Sequence, residues 1–345
     1  MDLLQEFVKL SKYAGMREDL VQAGGGNTSV KLDSNNMLVK ASGYNLAEIN
    51  QDKGYSKINY SIIQDFFKIN NELTLDDEKS LMEKALLDKS KPSIETFLHA
   101  LTNATLTLHI HPTVVNILTA SSDGMKILLK LFPAAGFVEY ETPGIKLAKK
   151  LYSVITSNNK KEIFFLKNHG LIVCGNNTSE IINIVENIMI TIENYIKIDM
   201  NEYKSVTLIA DAINKITHLN NIVYTSFDKR IEAALIKNNG KVWDYQFCPD
   251  CLVYCGEQAL YLGAVDNDEI LNFYNNFGVP KIIVYKNKVY IYAENIKKAR
   301  EIETVLAFSG IVATENIVKK LDLLSKKEIN FLLNWDAEKY RQNIR

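Results

Sequence analysis

Apolar residues fall at helical spacing at the start of the chain, where Leu3, Leu4, Phe7 and Leu10 predict an amphipathic helix over 1–14. The pattern then breaks at Val21-Gln22-Ala23-Gly24-Gly25-Gly26-Asn27-Thr28-Ser29. After it, Ser29–Leu32 and Met37–Lys40 flank Asp33-Ser34-Asn35-Asn36, a hairpin pattern, and a second small-residue turn follows at Ala41-Ser42-Gly43. Helical spacing returns at 61–70 and 76–88, and again after Pro92, with Ser93 as the N-cap of a helix running to Leu101. Strict alternation from Thr105 to His111 predicts a strand that Pro112 ends. Helices are expected at 113–120, 123–131 and 144–156, the second closed by Phe132-Pro133. Glu162–Lys167 and Leu171–Cys174 read as strands joined by a tight Asn168-His169-Gly170 turn. Ile181, Ile184, Val185, Ile188 and Ile192 then share one face of a long helix, 178–200.

Further helices are predicted at 206–216, 228–238, 295–313 and 325–340. Phe164–Glu180 and Ile282–Lys298 repeat one order: strand, turn, strand, polar turn, helix. In that alignment Asn287 falls opposite His169. Between them lies Trp243-Asp244-Tyr245-Gln246-Phe247-Cys248-Pro249-Asp250-Cys251-Leu252-Val253-Tyr254-Cys255-Gly256. Cys248, Cys251 and Cys255 invite a zinc reading, but a closed zinc site needs four ligands. Cys174 sits on a distant strand, so a structural turn and strand is the expectation; the alternative is a role at the mouth of an active site.

Length and charge narrow the classes. A chain of 345 residues implies one large or two modest domains. At 47% hydrophobic and 23% charged it has an ordinary globular composition. A net charge of -1 supplies no basic field, so neither nucleic acid nor an anionic membrane is an expected partner. No apolar run approaches the roughly 20 residues of a membrane span, and the first residues carry no basic-then-apolar leader pattern. Four cysteines do not make a disulfide framework, so a reducing cytoplasm is the expected location.

The candidate chemistry sits on histidines. There are five in the chain, and three of them are His109, His111 and His169. Residues i and i+2 of a strand face the same way, so His109 and His111 are placed to share a metal with a third ligand; two surface histidines on an edge strand is the competing reading. The run Gly24-Gly25-Gly26 followed by Asn27, Thr28 and Ser29 suits an anion loop, or a flexible turn, and its spacing is not that of a dinucleotide fingerprint. Glu95 lies in the first turn of its helix, where compensation of the helix dipole accounts for a carboxylate by itself. His99, four residues on, reads as a packed or hydrogen-bonded helix residue.

Together these motifs resemble the class II aldolase/adducin family of zinc-dependent sugar-phosphate enzymes over about residues 1–205. The matching residues are Gly26-Asn27-Thr28-Ser29, Ser42-Gly43, Pro92-Ser93-Ile94-Glu95, His109-Ile110-His111-Pro112 and Asn168-His169-Gly170, in the family's order. Ile94 replaces a second phosphate-binding serine of several members, and the form seen here is similar to the aldolase part of larger members fused to a dehydrogenase. The resemblance implies an α/β fold, a three-layer α/β/α domain around a mostly antiparallel sheet; 206–345 reads as a smaller α/β region, which the repeat of Phe164–Glu180 at Ile282–Lys298 would make a degenerate extension of the same fold. The resemblance also implies one Zn2+ per subunit on His109, His111 and His169, and Glu95 as general acid/base. Gly26, Asn27, Thr28, Ser42, Gly43 and Ser93 would bind the substrate phosphate, and the subunits would form a homotetramer or another homo-oligomer. A family tyrosine from a neighbouring subunit is not assignable among 17 tyrosines. The implied reaction is reversible aldol cleavage of a phosphorylated ketose through an enediolate held on the metal. Ketopentose-phosphate 4-epimerisation and decarboxylation of 3-oxo sugar-acid phosphates use the same motifs. Adducin-like heads, the non-catalytic alternative, lack the histidine set.

Overall fold

Alternation along the strands decides how the first half of the molecule is layered. The computed structural model describes residues 2–69, 74–157, 162–241, 246–315 and 321–334, and the chain forms two compact units, Met1–Met200 and Asn201–Arg345. The first unit runs α1 (Leu3–Gly15), β1 (Asn27–Lys31), β2 (Asn36–Lys40), β3 (Tyr55–Asn59), α2 (Tyr60–Ile69), α3 (Leu75–Ala85), α4 (Thr96–Leu101), β4 (Leu106–Ile110), α5 (Thr113–Thr119), α6 (Gly124–Leu131), β5 (Gly136–Val138), α7 (Ile145–Ser157), β6 (Ile163–Leu166), β7 (Gly170–Gly175) and α8 (Thr178–Ile196). The strands form one sheet in the order β3-β2-β1-β4-β7-β6-β5, antiparallel except for the parallel β5–β6 pair.

Val30, Leu38, Leu106, Leu108, Ile110, Phe165, Leu171 and Val173 point to one face and pack under α1, α5, α6 and α8. Their alternates Met37, Val39, Ile58, Phe164, Leu166, Ile172 and Cys174 point to the other, under α2, α3, α4 and α7. Period-two strands with both faces apolar thus give the three layers expected, with helices on each side of a mostly antiparallel sheet. On the α4 side of β1 and β4 the alternates are polar instead. Asn27 and Ser29 lie beside Thr107 and His109, with Asn27 opposite His109 and Ser29 opposite Thr107. This buried polar seam, absent from every neighbouring strand pair of that core, locates the site.

The second unit runs α9 (Asn201–Thr217), β8 (Ile222–Thr225), α10 (Lys229–Lys237), α11 (Pro249–Cys255), β9 (Leu260–Leu262), α12 (Asn267–Phe277), β10 (Ile282–Tyr285), β11 (Lys288–Ala293), α13 (Ile296–Thr314) and α14 (Lys326–Asn334). Its sheet order is β8-β11-β10-β9, with only β9–β10 parallel. This matches β4-β7-β6-β5 strand for strand in order and direction. Asn177 and Asn295 cap the 19-residue helices α8 and α13 in the same way, each side chain accepting from the backbone three residues on.

Three expectations are corrected. The helix expected from Ser93 starts at Thr96, with Glu95 rather than Ser93 at the N-cap position. The long helix expected to reach 200 ends at Ile196, because Lys197 turns left-handed at φ 60°. The segment expected as a turn and strand is α11, in which Pro249 takes the first helical position where its missing N–H costs nothing. Trp243, Asp244, Tyr245 and the end of the last predicted helix lie outside the described residues.

Candidate metal centre

His109 is fully buried at the C-terminal end of β4, and its Nδ1 lies 3.0 Å from the Leu171 carbonyl on β7. A carbonyl only accepts, so Nδ1 carries a proton and Nε2 is the nitrogen directed at the centre. His111 stands just past the strand end. Its N–H donates to Leu20 O at 2.9 Å, which turns the ring back beside His109, and the two Nε2 atoms are 3.1 Å apart. His169 sits at the β6–β7 hairpin tip, after Asn168 at φ 52°, with Nε2 3.2 Å from that of His109. Glycine at 170 is a steric requirement: a Cβ there would lie 2.3 Å from Ile110 O and 2.9 Å from His111 Cδ2. The convergence of imidazoles therefore depends on the loop before β1, the end of β4 and a hairpin without a side chain at its base.

Glu95 completes the cluster. Its Oε1 is 3.0 Å from His169 Nε2 and 3.2 Å from His109 Nε2. Its Oε2 accepts from Asn27 Nδ2 at 2.6 Å, and the same amide reaches Ser93 Oγ at 3.0 Å. Glu95 makes no hydrogen bond capping its helix. Compensation of the helix dipole thus does not account for the direction its carboxylate takes. One ligand atom from each of Glu95, His109, His111 and His169 lies within 4.8 Å of all the others. Two nitrogens bound tetrahedrally at about 2.0–2.1 Å would be roughly 3.3 Å apart, so the spacing of 3.1–3.2 Å suits a small divalent cation. The donor set is borderline, three imidazoles and a carboxylate, as zinc prefers.

Electrostatics follow from crowding. Burial works to raise the Glu95 carboxyl, but the charge of His109 and hydrogen bonds from His109 and His169 outweigh it and hold it well below the usual carboxylate range. Burial alone would lower His109, yet facing Glu95 it rises above its ordinary value. Burial, then the charge on His109, pushes His111 down to about 3. His99 is also held at about 3, first by burial; its Nδ1 meets Ser29 Oγ at 2.9 Å, and it is a packed residue of the seam as expected.

A cavity of about 710 Å3 opens on Glu95. Gly24, Gly25, Gly26, Asn27, Lys40, Ser42, Gly43, Ser93 and Ile94 are among the residues that line it. Ala41 bridges to Pro92, Ser42 N–H donates to Lys91 O, and Ser93 N–H donates to Lys40 O, so these two segments form one wall. Gly26 turns at φ 72°, and a Cβ there would strike Val21 at 2.7 Å. Thr28 is a correction. Next to Asn27 on a strand, it points to the opposite face, where its Oγ1 is 2.6 Å from Ser11 Oγ of α1; it ties helix to sheet and does not reach the cavity. Lys40 went unrecognised in the sequence. It is 4% exposed, its Nζ donates to Gly24 O at 3.1 Å, and burial lowers its pKa. One lysine ending a strand carries no local signal; only the fold reveals it.

Among its described residues the second unit shows no such cluster. Register places Thr225 opposite Tyr290 as His109 stands opposite Ile172, and Asn287 lies in the hairpin turn where the first unit has His169. The turn is also one residue shorter, Lys286-Asn287, with both φ values positive.

Residues 5–196 match the Class II Aldolase and Adducin N-terminal domain. Among solved structures, the N-terminal class II aldolase domain of a conserved protein from Thermoplasma acidophilum is 28% identical, with a TM-score of 0.51 over 57% of this chain and 94% of that one. A sugar-phosphate aldolase from Thermotoga maritima is 16% identical, with a TM-score of 0.43 over 57% of this chain and 94% of that one. The uncharacterized oxidoreductase YuxG of Bacillus subtilis (strain 168) is 24% identical over 212 residues, 58% of this chain and only 30% of that protein's length.

Proposed function

The chain belongs to the class II aldolase and adducin family, and from that premise we propose that its first unit is a zinc-dependent carbon–carbon lyase acting on a phosphorylated ketose. The reading rests on one observation above all: a ligand nitrogen from each of three imidazoles converges with a carboxylate oxygen of Glu95, and Glu95 also lines a cavity whose wall includes the small donors Ser42 and Ser93 and the buried Lys40. His109, His111 and His169 would hold the zinc. When bound, it supplies Lewis acidity toward the neighbouring carbonyl and hydroxyl oxygens of a hydroxy-ketone and leaves positions open for them.

The remaining steps belong to the protein. With the imidazole nitrogens committed to the metal, Glu95 Oε1 loses its two donors and is free to exchange a proton with substrate. Asn27 keeps Oε2 fixed, so the carboxylate presents one oxygen in one orientation. Glu95 returns a proton to the carbon left by the broken bond and removes it in the reverse direction. Gly26, Ser42, Gly43 and Ser93 supply neutral donors, and Lys40 a charge, for a phosphate at the far end of the cavity, while the Asn27 amide stays committed to Glu95 and Ser93. Ile94 replaces a hydroxyl there, so Lys40 takes a larger share of anion recognition. Binding at that remote end orients the reacting carbons.

The histidine set argues against a non-catalytic head. Among the described residues no helix is long and apolar enough to cross a membrane. We assign catalysis to the first unit and read the second as a non-catalytic variant of half of that unit; homo-oligomers, tetramers foremost, are the expected assembly. The test is a screen of ketose phosphates and sugar-acid phosphates with zinc-loaded protein. Aldehyde release supports the lyase, epimer without aldehyde the 4-epimerase, and CO2 the decarboxylase; no turnover of any substrate class contradicts the enzyme reading.

A further inference from the structure

The second unit holds two thiols within reach of each other. Cys248 Sγ and Cys251 Sγ are 3.3 Å apart, separated in sequence by Pro249 and Asp250. Cys248 is half-buried, at the N-cap of α11, whereas Cys251 is fully buried on its first turn. The proline ring fixes φ between them, so the spacing of the thiols is built into a stiff turn. A disulfide needs about 2.05 Å between sulfurs, so closure asks for a movement of little more than 1 Å.

The surroundings permit that movement. Cys251 Sγ touches Ser309 Oγ on α13 at 3.1 Å, but the same hydroxyl donates to Val305 O at 2.9 Å. Withdrawing the thiol therefore leaves Ser309 satisfied and creates no buried unpaired group. The other two cysteines are placed differently. Cys255 Sγ faces the Ile302 carbonyl at 4.0 Å, and Cys174 packs against Thr107 in the core of the first unit.

We propose that Cys248 and Cys251 are a redox-active dithiol that exchanges with low-molecular-weight disulfides. Cys248, the accessible thiol, attacks one sulfur of the disulfide RSSR as a thiolate; the RS–SR bond breaks, a Cys248–S–SR mixed disulfide forms, and the departing RS⁻ takes the proton. Cys251 then attacks the Cys248 sulfur, expels the second RS⁻ and gives it its proton. Two electrons pass from the dithiol to RSSR, yielding one protein disulfide and two RSH. Burial pushes the Cys251 thiol up to about 11, so it is a poor nucleophile toward solutes and acts on the sulfur held beside it.

The test uses the folded full chain in mixtures of oxidised and reduced glutathione, followed by acid quench, alkylation and peptide mapping by mass spectrometry. The expected result is an intramolecular Cys248–Cys251 disulfide that forms without denaturant and is reversed by reductant, with Cys174 and Cys255 remaining thiols. In Cys251→Ser, glutathione should stay trapped on Cys248; in Cys255→Ser the wild-type titration should persist. The proposal is overturned if the pair stays reduced across the mixtures in native protein and oxidises only on unfolding, or if the bridge forms between chains or to Cys255. The wild-type measurement decides without any variant.

Discussion

Asn27 and Glu95 are 68 residues apart in sequence, yet the Asn27 amide donates to Glu95 Oε2 at 2.6 Å while Oε1 of the same carboxylate faces two histidines. Each carboxylate oxygen thus has its own task, one held and one directed at the centre. Glu95→Gln keeps the shape and removes the titrating group. Zinc content should persist near the wild-type level, and kcat should fall by roughly 10²- to 10⁴-fold. Unchanged turnover in this variant would make Glu95 a packing residue.

Gly170→Ala tests how the third histidine is brought in. The added methyl meets Ile110 O and the His111 ring, and neither the strand nor the ligand can yield freely. Overpacking of this kind costs about 1–3 kcal/mol. Thermal melts of the metal-free protein should show that loss, and zinc affinity should drop with it. A variant as stable and as tight-binding as the parent would contradict the described hairpin.

Lys40→Met should separate anion recognition from chemistry. A charged hydrogen bond to a buried anion is worth about 1.5–3 kcal/mol, so KM for a phosphorylated substrate should rise about 10- to 100-fold. KM for the unphosphorylated sugar should barely move. Equal effects on both would remove Lys40 from the phosphate end.

His99 gives a pH signature. Its folded value of about 3 lies below the ordinary 6.5, first through burial. The unfolded chain therefore takes up a proton that the folded one refuses. This contribution is complete above about pH 6.5 and is lost as pH falls toward 3, at up to about 1.4 kcal/mol per pH unit. Denaturant titrations at several pH values between 7 and 4 should show a shallower loss for His99→Gln than for the parent. Parallel slopes would mean that His99 is protonated inside the fold.

Much of this was legible before the structure. The His109/His111 alternation is visible because strand period two is a strong local signal, whereas the three layers come from the family resemblance, and the strands apolar on both faces give the physical reason for them. His169 at a hairpin tip beside Gly170 reads as placed to reach a metal on a neighbouring strand, but its assignment as the third ligand needs the resemblance, since a turn histidine has no periodicity of its own. Thr28 was misplaced although alternation from Asn27 already sent it to the other face. Lys40 was invisible because its role comes from a contact with Gly24, sixteen residues away. Strands of three residues, β5 and β9, are too short to show a period. The repeated hairpin at 282–293 is legible in the sequence, but the wider match of four strands in order and direction appears only in the sheets.

On the proposed reading His109, His111 and His169 form one zinc site whose loss abolishes the chemistry. The direct measurement is the metal content of the purified protein and of His109→Ala after equilibration with zinc, with the affinity of each measured by competition against a chelator. The wild-type chain should bind one zinc per chain. The variant, which loses a buried ligand fixed on Leu171 O, should bind none under the same conditions and show no lyase activity. A wild-type protein without bound zinc that regains none on addition, or a variant that binds it equally well, would contradict the account.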